Sequence, residues 1–112
     1  MKKIEVIIRP ENLEPLKEAL LSAKVDGLTI NQVLGCGKQY GWTEHHRGSD
    51  ILMNTIPKIE IKMITVEERV EEIISIIFKI CQSGELGDGK IFISDVSECI
   101  RIRTGERGLV AI

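Results

Sequence analysis

Apolar residues in this chain switch spacing from every second position to every third or fourth and back again, twice over, and few folds accept that order. Ile4, Val6 and Ile8 alternate with Glu5 and Ile7, the period of a strand with one strongly apolar face. Pro10 stops the run. Asn12 is placed to cap a helix, and Pro15 falls in its first turn, where a missing N–H is tolerated. Leu13, Leu16, Leu20 and Ala23 then share one helical face. Leu28 to Leu34, bounded by Gly27 and Gly35, reads as a second strand, and Ile59, Ile61 and Met63, alternating with Glu60 and Lys62, as a third. Thr65 and Glu68 spell a T-x-x-E capping box. The helix it opens has Val70, Ile73, Ile74, Ile77 and Cys81 on its inner face, and Gly84 as a C-terminal stop. Lys90 to Ser94 is a fourth strand, and a short fifth is expected over Ile100 to Arg103. The order β-α-β-β-α-β predicts an α+β, ferredoxin-like sandwich.

A chain of 112 residues is expected to form one domain, 1–112, with a core large enough to fold unaided. A net charge of −2 argues against nucleic acid, because binding a phosphate backbone normally needs a cationic surplus. Cys36, Cys81 and Cys99 are an odd number with no CxxC spacing, which fits a reduced cytoplasm better than a disulfide framework. The opening MKKIEVIIRP is too short and too broken by charge for a signal peptide. No run approaches the roughly eighteen apolar residues of a membrane span.

One segment does not fit a minimal domain. Strands two and three should form a hairpin, whose loops usually hold about two to five residues. Here GKQYGWTEHHRGSDILMNT, about 37–55, intervenes, with both histidines and the only Trp and Tyr of the chain. Long loops in compact domains are more often functional than idle, and Tyr40, Trp42 and Arg47 are residue types favoured in binding hot spots. His45 and His46 have no ligand or catalytic partner at useful spacing, so they read as solvated imidazoles.

Ser83 to Lys90, SGELGDGK, is a glycine-rich connection from a helix to a strand. Glycines let backbone N–H groups converge on an anion, and the lysine adds a point charge. The spacing is not that of a Walker A loop. A plain tight turn with an exposed lysine is the other reading. On a strand, Arg101 and Arg103 would project to one face, where two guanidinium forks suit phosphate oxygens. A solvated basic edge is the alternative there. The GDGK loop and the RIR segment together are more specific than either alone. Gly35-Cys36-Gly37-Lys38-Gln39 is a second glycine-rich stretch. Gln39 offers an amide oxygen to a hard cation such as Mg2+, and Lys58 a charge for a carboxylate.

With MKKIEVIIRPENLEPLKEAL, GCGKQYGWTEHHRG, Ile56-Pro57-Lys58, SGELGDGKIF and IRIRTGERG in view, the chain resembles the PII nitrogen-regulatory family along essentially its whole length. The resemblance implies a non-enzymatic homotrimer with ATP or ADP in clefts between neighbouring subunits. It places Gly27, Leu28, Thr29 and Ile64 near the nucleotide, and Gly35, Cys36, Gly37, Lys38, Gly87, Asp88, Gly89 and Lys90 around it, with Arg101 and Arg103 reaching across the boundary. Gln39 would complete a Mg2+ site with the phosphates and 2-oxoglutarate, next to Tyr40 and Gly41, while Lys58 would hold the distal carboxylate of 2-oxoglutarate. Trp42, Arg47 and Ile51 belong to the loop that meets partners such as an ammonium transporter, glutamine synthetase or nitrogenase. Position 51 is where some members have a modifiable tyrosine, and Ile51 has no phenol. Lys38 stands for the commoner arginine, Lys62 for an acid and Ser83 for threonine.

Overall fold

The computed structural model describes residues 1–25, 27–36 and 55–112. Along the chain run β1 (Lys2–Ile8), α1 (Leu13–Ser22), β2 (Thr29–Cys36), β3 (Thr55–Thr65), α2 (Val70–Cys81) and β4 (Lys90–Asp95). The strands lie in the order β2-β3-β1-β4, with each neighbouring pair antiparallel. The expected ferredoxin-like α+β sandwich is the fold.

Register decides which face is buried. Ile4 lies opposite Met63, Val6 opposite Ile61 and Ile8 opposite Ile59, and directly opposed residues share a face of the sheet. Those six side chains meet Leu16 and Leu20 of α1 and Ile73 and Ile77 of α2 in one apolar core. Burying each such side chain stabilises the fold by about 1.5–3 kcal/mol relative to leaving it in water. The other face is polar at its centre. Lys62 pairs with Glu60 at 3.7 Å and Lys3 with Glu5 at 3.5 Å.

The element ends depart from the sequence pattern. Both helices are entered through a 3-10 turn, Pro10–Asn12 before α1 and Glu67–Arg69 before α2. Asn12 has helical angles, φ −91° and ψ −2°, and makes no side-chain cap, because a capping residue needs extended backbone to reach back over the first turn. Thr65 is the buried last residue of β3, so the expected capping box does not form. Helix α2 ends at Cys81 because Gln82 is already extended. Gly84, at φ +89°, lies beyond it in the following loop and does not terminate it.

The expected fifth strand is absent. Ile100 makes a single bridge to Arg107 across a turn, closed by the Arg101 N–H on Glu106 O at 2.9 Å and the Gly105 N–H on Arg101 O at 2.7 Å. Gly105 supplies the positive φ of +76°, and the Thr104 hydroxyl bonds Glu106 at 2.9 Å. Turn chemistry at Thr104-Gly105 thus overrides the alternation of IRIR. At the hairpin, β2 continues through Gly35 and Cys36 and β3 begins at Thr55. The rest of the long loop, 37–54, lies outside the described residues.

Candidate ligand-binding site

At the end of the sheet where β1 stops and β4 begins, the connection from α2 is folded into a clamped loop. The Asp88 carboxylate accepts from the Ser83 N–H at 2.7 Å, the Gly84 N–H at 2.9 Å and the Ser83 hydroxyl. Arg9, just past β1, lies across the loop. One terminal nitrogen pairs with Asp88 Oδ1 at 3.0 Å, and the other donates to Leu86 O at 2.6 Å. From β3, Lys58 Nζ donates to Gly87 O at 2.8 Å.

A trans peptide points its C=O and its N–H in opposite directions. With the Leu86 carbonyl turned to Arg9 and the Gly87 carbonyl turned to Lys58, the Gly87 N–H points away from Arg9 and the Asp88 N–H away from Lys58. Among the described residues, no acceptor takes the N–H of Gly87 or Gly89. Gly87 and Gly89 have φ of +96° and +112°, angles that glycine adopts without strain and that gather successive amides into an anion-binding concavity. Lys90 follows, exposed, at the start of β4. Gly35 is adjacent, since a Cβ added to it would sit 3.3 Å from Lys58 Cγ. Gly35, Lys58, Gly87, Asp88, Gly89 and Lys90 therefore share one end of the sheet.

Asp88 is an organiser of this loop. The Ser83 hydroxyl first, then the Ser83 N–H, the Gly84 N–H and Arg9, hold its carboxyl down to about 2, against an ordinary aspartate near 4, roughly. A depressed folded-state pKa contributes stability that is present above the unfolded value and lost as pH falls through the folded one. The wild-type chain should therefore be more stable than Asp88→Asn at pH 7, and the gap should close between about pH 4 and pH 2. Urea midpoints across that range, at one protein concentration, measure it. A gap that stays constant would mean that Asp88 does not titrate as folded.

A second group gathers at the opposite end. Gly27 and Ile64 line a cavity of about 370 Å³ together with Lys24, Arg69, Cys99, Ala111 and Ile112. Arg69 closes the end of α1 with bonds to Ala23 O at 2.6 Å and Lys24 O at 3.3 Å. Arg101 reaches Ile112 O at 3.4 Å, Val110 O at 3.1 Å and Glu106 at 2.7 Å. Arg103 makes no ion pair or hydrogen bond among the described residues. Arg101 and Arg103 are thus set on a turn, where the expected strand would have aligned them on one face. Thr29 and Gly35 stand at the two ends of β2, about 20 Å apart at the usual strand rise. Within one chain the residues predicted to bind nucleotide fall into two separate groups, one at each end of the sheet.

The family model for nitrogen regulatory protein P-II matches residues 1–106. The chain belongs to the P-II family. It is 46% identical over 112 residues to the nitrogen regulatory protein P-II of Rhizobium meliloti, covering the whole of both chains. It is 47% identical to nitrogen regulatory protein P-II 2 of Methanothermobacter thermautotrophicus, covering all of this chain and 97% of that one. The Porphyra purpurea protein of the same description is 46% identical over the full length of both. P-II proteins are regulators, so this chain is placed among signal-transduction proteins.

Sequence reasoning about this P-II chain missed Arg9 and Arg69, whose roles depend on partners far along the chain. Gly37, Lys38, Gln39, Tyr40, Gly41, Trp42, Arg47 and Ile51 lie outside the described residues. Among the described residues, no three His, Cys, Asp or Glu side chains converge as a metal site, and no helix is long and apolar enough to cross a membrane.

Proposed function

We propose that this P-II chain is a cytoplasmic, non-enzymatic sensor of nitrogen and energy status. It acts as a homotrimer that takes ATP or ADP, and 2-oxoglutarate, in clefts between its subunits. The observation that carries this reading is the division of the site. The amide-lined, cation-clamped loop at Gly87–Lys90 lies at one end of the sheet, and Gly27, Thr29, Ile64 and the arginine turn lie at the other. A neighbouring copy would bring one copy's first half-site against the other's second, so that Arg101 and Arg103 meet phosphates gathered by Lys90. Apolar exposure supports assembly. Ile102 is 99% exposed and Leu109 63%, and large apolar side chains left this open are suited to burial against another copy.

In this reading Gln39, the ligand that the family resemblance assigns to it, would hold a Mg2+ brought in with the nucleotide, and the cation would offset phosphate and carboxylate charge. Lys58 holds the distal carboxylate of 2-oxoglutarate. The ligands set the long loop by their differential affinity for its states. That loop then meets a partner: an ammonium transporter, glutamine synthetase or nitrogenase. Membrane contact comes only through a channel partner, and no nucleic acid is involved.

Calorimetry of ATP, ADP and 2-oxoglutarate, with light scattering for mass, tests the proposal. A trimer that binds ATP, and binds 2-oxoglutarate only when Mg-ATP is present, is expected. A monomer, or no heat with any adenylate, sinks it. Turnover of ATP above about one per second would make the chain a catalyst in place of a sensor.

A further inference from the structure

An ionised carboxylate in the middle of a loop that is to receive phosphate is a liability, since like charges a few ångströms apart repel. Asp88 is such a group, flanked by the two glycines whose amides stand open. Its oxygens are turned back onto Ser83 and Gly84, which keeps them off the amide side but does not remove their charge. Among the described residues, the one cation in contact with that carboxylate is Arg9, 3.0 Å from Oδ1. The same guanidinium holds Leu86 O at 2.6 Å and approaches the Ser83 hydroxyl at 3.4 Å, so a single side chain touches the start, the middle and the end of the loop. Lys58 is engaged one residue further on, with Gly87 O. A Cβ placed on Gly87 would sit 3.1 Å from Arg9 Nη2 and 3.7 Å from Lys58 Nζ, so the two cations flank that residue together.

Resting on the nucleotide reading above, we propose that Arg9 is the positioning residue of the phosphate loop. It neutralises Asp88, and by holding the Leu86 carbonyl it aims the Gly87 N–H outward. No phosphate contact by Arg9 itself is required. An Asp88 oxygen holds the loop N–H groups, and Arg9 makes the charge that comes with it tolerable to an incoming anion. The two residues therefore act as a unit, and their effects on binding are not additive.

The test is a double-mutant cycle on the full chain, with AMP, ADP and ATP as probes in calorimetry. Arg9→Gln should weaken ATP by at least tenfold and AMP by much less, because the uncompensated charge is felt in proportion to the phosphate charge. Arg9→Gln with Asp88→Asn should regain most of the lost ATP affinity, since the neutral amide keeps one oxygen for the loop N–H groups. Arg9→Lys should fall between, keeping charge but losing the fork that serves carboxylate and carbonyl at once. Thermal unfolding of each variant shows that it is folded. An equal loss for AMP, ADP and ATP would reduce Arg9 to a structural clamp and overturn the proposal. So would a double variant no better than Arg9→Gln, or an Arg9→Gln variant that binds ATP like wild type. Absence of adenylate binding in the wild-type chain overturns this inference and the sensor reading together, whereas failure of the cycle alone leaves the sensor reading intact.

Discussion

Gly89→Ala should be among the most damaging single substitutions in this chain, costing about 2–5 kcal/mol of folding stability. Two effects add. An L residue at φ +112° carries a conformational penalty of about 1–2 kcal/mol. The added methyl would also sit 1.8 Å from the carbonyl oxygen of Ile7 and 2.9 Å from its carbon. That oxygen belongs to a central strand paired on both sides, Ile7 facing Glu60 on β3 and Lys90 on β4. It has no flexible end that could swing aside, so relief must come from separating β4 from β1. Overpacking of this sort costs about 1–3 kcal/mol, and more where backbone must move. Gly84→Ala is the matched control. Its φ is +89° and a Cβ there meets nothing within 4 Å, so it isolates the backbone penalty. Urea midpoints for the two variants, at one protein concentration because assembly shifts apparent stability, should differ by at least about 2 kcal/mol. Equal midpoints would mean that the approach of Gly89 to Ile7 is not as close as described.

The reach of Gly89 also marks where the sequence was legible. Alternation in β1 and β3 named Ile4, Val6, Ile8, Ile59, Ile61 and Met63, and those residues are the sheet half of the core. A period-2 pattern on a sheet with one covered face has a single workable register, because a slip of one residue would turn every apolar side chain outward. The inner face of α2 was equally plain for the same reason. Element ends were not. Thr65 and Glu68 satisfy the letters of a capping box, but Thr65 is the last, buried residue of β3, and strand pairing with Lys2 outweighs a cap. IRIR reads as a strand until Thr104 and Gly105 impose a turn.

The candidate site divides the same way. GDGK announced a place where amides gather, because glycine permits little else so economically. That Asp88 would face inward, and that a partner 79 positions earlier would neutralise it, has no local signature, because nothing near Arg9 in sequence touches the loop. Lys58 lies between these cases. Its charge beside the loop root was readable, but its bond to Gly87 O, 29 positions further along the chain, was not.

That bond shapes the other large effect. Replacing Lys58 with Met should lower 2-oxoglutarate affinity, measured with saturating Mg-ATP, by about 100-fold, or roughly 2.7 kcal/mol. ATP alone should weaken by no more than about threefold, because the phosphate ligands proposed above are the amides near Asp88 with Lys90, Arg101 and Arg103, and Lys58 is not among them. Methionine keeps an unbranched stem beside Gly35, so packing is preserved while the charge goes. The complication is that Lys58 Nζ already holds Gly87 O at 2.8 Å. A carboxylate arriving at Lys58 either shares that ammonium, which has three donors, or displaces the carbonyl. Sharing keeps the phosphate loop in place and lets the two ligands bind together. Displacement would release the Gly87 peptide and set one ligand against the other. Because coupling between sites is reciprocal, the sign can be read from ATP. If 2-oxoglutarate tightens ATP in the wild type and this enhancement vanishes in Lys58→Met, the ammonium is shared. If 2-oxoglutarate loosens ATP, it is surrendered. An equal loss of ATP and 2-oxoglutarate affinity in the variant would make Lys58 a loop clamp alone, and would move the 2-oxo acid elsewhere.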